Sequence, residues 1–138
     1  MKKFNIPFSP PDISEKEINQ VIEALKSGWI TTGPKTKLLE KKLQEYTQSK
    51  KTCCFNSATA ALECALRILG VNGKKDECIT SAYTYTASCS VIDHLDATIK
   101  LVDVQKDSYF MDYDKLYDSI HENTKAIIPV DIAGVPVD

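Results

Sequence analysis

The chain has 138 residues, length for one domain of ordinary size, and its 43% hydrophobic and 26% charged content is that of a soluble globular protein. A net charge of -2, with no Lys/Arg stripe, argues against nucleic acid as a partner, and no apolar run approaches the roughly 20 residues needed to span a bilayer, so no membrane partner is expected. Five cysteines, at 53, 54, 64, 78 and 89, are odd in number and form no C-x-x-C; this fits neither a zinc site nor a disulfide framework and points to a reducing cytoplasm.

The N-terminus, Met1 to Pro7, has lysines but no apolar core of a signal peptide, and with three prolines up to Pro11 it reads as an irregular arm. Ser14-Glu15-Lys16-Glu17 is a capping box that starts a helix with Ile18, Val21, Ile22 and Leu25 on one face and Gly28 as its stop. Trp29 to Pro34 is a loop, and Pro34 suits the first turn of a second helix carrying Leu38, Leu39, Leu43 and Tyr46. The arm and these two helices, residues 1–50, form one expected region; residues 51–138 form the other.

From residue 51 apolar strands alternate with helices. Strands are expected at 52–55, 77–81, 98–102 and 126–130, and helices at 58–69, about 86–95, and 112–120. Such alternation favours a parallel sheet with helices on its faces, and sites in such sheets lie at the carboxyl ends of the strands. Cys53, Cys54 and Cys78 fall inside these strands, where free cysteine behaves as a small buried hydrophobe. No helix follows 126–130 to cover that strand, so the expectation is the front part of a longer protein, with an exposed sheet edge that invites self-association.

The richest stretch is Phe55-Asn56-Ser57-Ala58-Thr59-Ala60-Ala61-Leu62. A small, hydroxyl-bearing turn opens directly onto a helix, which leaves the first helical N–H groups free and directs the positive end of the dipole at the turn. Two hydroxyls and no acid there make a seat for a phosphate; the same residues equally make an ordinary N-cap. There is neither Gly-x-x-x-x-Gly-Lys nor Gly-x-Gly-x-x-Gly, so a single phosphate on a small cofactor fits better than a nucleoside triphosphate or dinucleotide. Tyr83-Thr84-Tyr85, after the second strand, places two rings beside such a ligand, for stacking or for packing. Asp103 reads as a turn residue. Asp131 follows the last strand and reads as a substrate contact or a solvated acid. His94 reads as a packing or helix-terminal residue and His121 as an exposed turn residue, and no His/Asp/Ser constellation arises.

Taken in order, Pro10-Pro11-Asp12-Ile13-Ser14, Ser27-Gly28-Trp29-Ile30-Thr31-Thr32-Gly33-Pro34, Asn56-Ser57-Ala58-Thr59-Ala60-Ala61-Leu62, Tyr83-Thr84-Tyr85-Thr86-Ala87 and Lys125-Ala126-Ile127-Ile128-Pro129-Val130 with Gly134 resemble the N-terminal part of the DegT/DnrJ/StrS-type sugar aminotransferases, which use pyridoxal phosphate (PLP). The resemblance implies an α/β fold: a truncated large domain of the aspartate aminotransferase-like type, with a mostly parallel sheet and flanking helices, working as a homodimer. It implies that Ser57, Ala58 and Thr59 hold the cofactor phosphate, that Tyr85 stacks on the pyridine ring, and that Thr31, Thr32 and Gly33 line the substrate side. Asp131 stands where many relatives carry a histidine. The implied reaction moves an amino group from an amino acid, glutamate by expectation, to a keto group of a nucleotide-linked sugar. The Schiff-base lysine of the family, and the acid that pairs with the pyridine nitrogen, come later than residue 138, so no catalytic residue is expected within the chain and the chain alone is expected to be inactive. A histidine in place of that lysine would make the parent a sugar dehydratase, and an inert residue a binding or regulatory relative.

Overall fold

A computed structural model describes Pro7 and residues 9–137. Most of the expected N-terminal arm lies outside the described residues, as does Asp138. The described residues form two compact units that divide between Cys54 and Phe55.

The first unit holds two helices, α1 (Glu15–Lys26) and α2 (Pro34–Thr47). Both halves of the capping box form at the start of α1: the Ser14 hydroxyl accepts from Lys16 N–H, and Glu17 accepts from Ser14 N–H at 2.7 Å. Gly28 sits just past the end of α1 at φ +73°, where a side chain would be strained. Pro34 occupies the first turn of α2, where its missing N–H costs nothing. Neither helix buries a residue fully; Ile18, Val21, Ile22, Leu25, Leu38 and Leu39 keep large exposed fractions.

The second unit runs α3 (Ala58–Ile68), β1 (Glu77–Ser81), α4 (Ala87–Asp93), β2 (Thr98–Val102), α5 (Tyr113–Ser119), β3 (Thr124–Ile128) and a 3-10 turn (Ile132–Gly134). Its sheet is wholly parallel in the order β2-β1-β3, so the first strand lies in the middle. The central strand is covered on both faces, as parallel sheets require. On one face Cys78 packs with Leu66 of α3, Val91 and Ile92 of α4, Leu95 and Ile128. On the other, Ile79 packs with Val102, Met111 and Leu116 of α5. Buried Thr80 satisfies its hydroxyl by donating to the Ile128 carbonyl at 3.0 Å.

Three expectations need correction. Residues 52–55 form no strand; the sheet of the described residues has three strands, because β propensity makes a strand only where a partner backbone completes the ladder. Cys53 is consequently exposed and Cys54 half-buried, while Cys78 alone of the three is fully buried. The last strand covers Thr124–Ile128 rather than 126–130, since Pro129 has no N–H to give the ladder.

Candidate functional site

The carboxyl ends of three parallel strands make one edge of the sheet, and the connections at the opposite edge show which helix ends reach it. Gly73, in the link from α3 to β1, donates its N–H to the Leu95 carbonyl, just past α4, at 2.9 Å. Thr98 N–H, at the start of β2, donates to the Asp76 carbonyl at 2.8 Å. The carboxyl ends of α3 and α4 therefore lie together at the amino edge, the two helices pack against each other, and both helix starts point to the carboxyl edge. Ser57, Tyr85 and Asp131 are thereby brought to one side of this unit.

Ser57 is the N-cap of α3, with extended backbone, and its Oγ accepts from Ala60 N–H at 3.1 Å. Its own hydroxyl proton is only weakly engaged, by Asn56 Oδ1 at 3.4 Å. The N–H groups of Ala58 and Thr59 belong to the first turn, where no intrahelical acceptor exists, and none is found for them or for the Thr59 hydroxyl among the described residues. No acid stands in that turn, and Ser57 and Ala58 are exposed. The turn thus offers unpaired donors at the positive end of an 11-residue helix. Glu63, one face further along α3, accepts from Arg67 at 2.7 Å and meets His94 Nδ1 at 3.0 Å. The Arg67 bond, then the His94 bond, hold its carboxyl below the ordinary range. His94 is the C-cap of α4, the helix-terminal place expected of it.

Tyr85 lies just before α4 with 82% of its surface exposed and no ring stacked on it among the described residues. Tyr83 is different: its ring stacks on Tyr109 with centroids 5.2 Å apart and planes 26° apart. The stretch carrying Tyr109 drew no functional expectation from sequence, since nothing local in Asp107-Ser108-Tyr109-Phe110 marks a ring that meets a partner from another loop. Asp131 is exposed, and its Oδ1 accepts from Val137 N–H at 2.9 Å, with no partner found for Oδ2 among the described residues. Asp103, expected as a turn residue, lies instead in the link between β2 and the Val104–Met111 bridge, where its side chain accepts from Val104 N–H at 2.8 Å.

Thr31, Thr32 and Gly33 belong to the first unit. The Trp29 indole folds back over this loop and its Nε1–H donates to the Thr32 carbonyl at 3.0 Å. Gly33 lies beneath the ring: a Cβ there would stand 2.0 Å from Trp29 Nε1, so any larger residue requires the indole to move. The loop borders an open cavity of about 440 Å³ lined by Trp29, Ile30, Thr31, Gly33, Lys35 and Leu38, among others. Lys35, at its rim, pairs with Glu23 at 2.7 Å.

A family model describing the DegT/DnrJ/EryC1/StrS aminotransferases matches residues 11–138. The chain belongs to that aminotransferase family. Spr1654 of Streptococcus pneumoniae, assigned as a sugar aminotransferase and solved in PLP-, PMP- and apo-forms, is 61% identical over 98% of this chain and 34% of its own, with a TM-score of 0.90 for the PLP-form. Helicobacter pylori PseC, an aminotransferase involved in the biosynthesis of pseudoaminic acid, is 30% identical over 96% of this chain and 36% of its own, with a TM-score of 0.85. The uncharacterized protein MJ1066 of Methanocaldococcus jannaschii is 44% identical over 99% of this chain and 35% of its own. The chain thus spans about a third of the length of these relatives and has the fold of the corresponding part of the PLP-dependent aminotransferases, a parallel sheet with flanking helices.

Proposed function

We propose that the protein works as a PLP-dependent aminotransferase that moves an amino group from an amino acid, glutamate by preference, to the keto group of a nucleotide-linked sugar, in amino-sugar or cell-surface polysaccharide biosynthesis. The observation that carries this reading is the start of α3, whose unpaired donors suit the phosphate of PLP in a chain that belongs to an aminotransferase family. The residues fit the group. Ala58 and Thr59 N–H and the Thr59 hydroxyl have no acceptor among the described residues and can donate, and the Ser57 hydroxyl can cap Ala60 through its lone pair while giving its proton to phosphate oxygen. No carboxylate in the first turn opposes the dianion. Tyr85 offers a whole ring face for the pyridine plane.

When bound, PLP supplies the electron sink that lets an amino group change carbon skeletons. The protein's part is to hold it. Phosphate contacts at Ser57, Ala58 and Thr59 set the position of the cofactor, and the Tyr85 ring sets its tilt and keeps water from one face. Thr31, Thr32 and Gly33 line the sugar side, and Asp131 offers Oδ2 as an acceptor to a sugar hydroxyl. The lysines of residues 1–138 match no cofactor-holding motif; in this reading the Schiff-base lysine and the acid facing the pyridine nitrogen belong to positions outside these residues, and residues 1–138 alone are inactive. The working form in this reading is a cytoplasmic homodimer. The test is amino transfer by full-length protein supplied with PLP, glutamate and nucleotide-linked keto sugars. Production of 2-oxoglutarate in step with an aminated sugar nucleotide is expected; loss of water from the sugar without glutamate consumption would contradict the reading.

A further inference from the structure

The segment between β2 and α5 has no part in the site described above, yet one of its aromatic rings stacks on Tyr83, two residues before Tyr85. We propose that Tyr109 is a positioning residue for the cofactor ring, acting through Tyr83 to hold the turn that carries Tyr85. This rests on the reading of Tyr85 as the ring platform.

Tyr109 stands on an anchored support. At the base of its segment Met111 is buried in the core with Ile79 and Val102. Val104 and Met111 form an antiparallel bridge, Asp112 N–H donates to the Asp103 carbonyl at 2.9 Å, and Gln105 N–H donates to the Phe110 carbonyl at 2.9 Å. The chain reverses at Asp107, at φ +61°, a conformation that aspartate tolerates. The tip is therefore a closed turn and its ring has a fixed origin.

The Tyr85 turn is held at its two ends. Ala82 N–H donates to the Val102 carbonyl at 2.8 Å, and Tyr83 N–H to the Ser81 hydroxyl at 3.2 Å. Thr84 and Ser88 join hydroxyls at 2.8 Å, and Ser88 N–H donates to the Tyr85 carbonyl at 3.0 Å. These bonds lie at the ends of the turn, and Tyr109, stacked on Tyr83, braces it from another loop. Tyr83 and Tyr109 remain 52% and 64% exposed, so the stack adds little to the core. What it constrains is the direction of the backbone between Tyr83 and Tyr85. No hydrogen bond is found for either hydroxyl of the pair among the described residues, so the ring face and not the hydroxyl is what acts.

The experiment uses full-length protein titrated with PLP, read by the dissociation constant and by the circular dichroism induced in the cofactor's absorption band. Tyr109→Ala is expected to weaken PLP binding about two- to tenfold, the worth of one stacked pair, and to reduce the induced signal at saturation. Tyr109→Phe is expected to restore both, and Tyr109→Leu, which keeps apolar bulk without a ring and guards against misfolding of the alanine variant, to restore neither. Wild-type affinity and signal in Tyr109→Ala or Tyr109→Leu, alongside a loss in Tyr85→Ala, would overturn the role of Tyr109 alone. An unaffected Tyr85→Ala would overturn the platform reading, and the role of Tyr109 with it.

Discussion

Ser57 serves two partners through two different atoms. Its oxygen lone pair takes Ala60 N–H, and its proton has only the distant Asn56 Oδ1 to hold it. A helix cap and a phosphate ligand, which compete as readings of the sequence, are thus compatible roles for one hydroxyl. Ser57→Ala is expected to cost about 1 kcal/mol of stability from the lost cap, seen as a lower urea midpoint without PLP. Gly33 has the opposite character, since it matters for what it lacks. With a Cβ 2.0 Å from the Trp29 indole nitrogen, Gly33→Ala must push the ring off the loop. The expected cost is about 1–3 kcal/mol, with a shift in the emission of Trp29, the chain's one tryptophan. In a Trp29→Ala background the same substitution should cost much less; an equal cost in both backgrounds would refute the clash. None of this was legible in Trp29-Ile30-Thr31-Thr32-Gly33-Pro34, where the glycine reads as a loop residue and its close contact is visible only in three dimensions.

Among the elements, α3 and α4 carry the candidate site between them, and an exposed hydrogen bond joins them. Glu63 on α3 bonds Arg67 of its own helix and His94 at the end of α4. Because the folded state holds the Glu63 carboxyl below its ordinary range, its contribution is present above that range and is lost as pH falls through the lowered value. The stability difference between wild type and Glu63→Gln, from urea unfolding, is therefore expected to shrink on going from about pH 6 to about pH 3. A difference independent of pH would contradict the assignment. Local signals define most of these elements: the Ser14–Glu17 box, Pro34 in a first turn, and the apolar runs 77–81 and 98–102 all form where sequence puts them. The failure at 52–55 is equally physical. An apolar run records a preference for extended backbone, whereas a strand is a pairing with distant chain, and no local pattern reports whether that partner is at hand.

At the scale of the whole molecule, the two units differ in what they bury. The second closes a core around β1, in which Cys78 is wholly inaccessible and its thiol is pushed up by burial and by the charge of Asp76. The first leaves both helices with exposed apolar faces. Thiol labelling of the native protein is expected to modify Cys53 rapidly and to spare Cys78 until denaturant is added; early labelling of Cys78 would contradict the core described for the second unit. The family was readable because its motifs are local runs that survive as sequence, while the geometry between Tyr83 and Tyr109 was not, since each ring belongs to a different loop. The central claim is that the start of α3 grips the cofactor's phosphate, and it is tested most directly by comparing affinities for PLP and for pyridoxal, which lacks the phosphate, in full-length wild type and in Ser57→Ala and Thr59→Ala. Wild type should prefer PLP strongly, and each variant should lose affinity for PLP by about 1.5–3 kcal/mol, the worth of a hydrogen bond to a charged group, with little change for pyridoxal. An unchanged preference for PLP in both variants would show that the phosphate is held elsewhere.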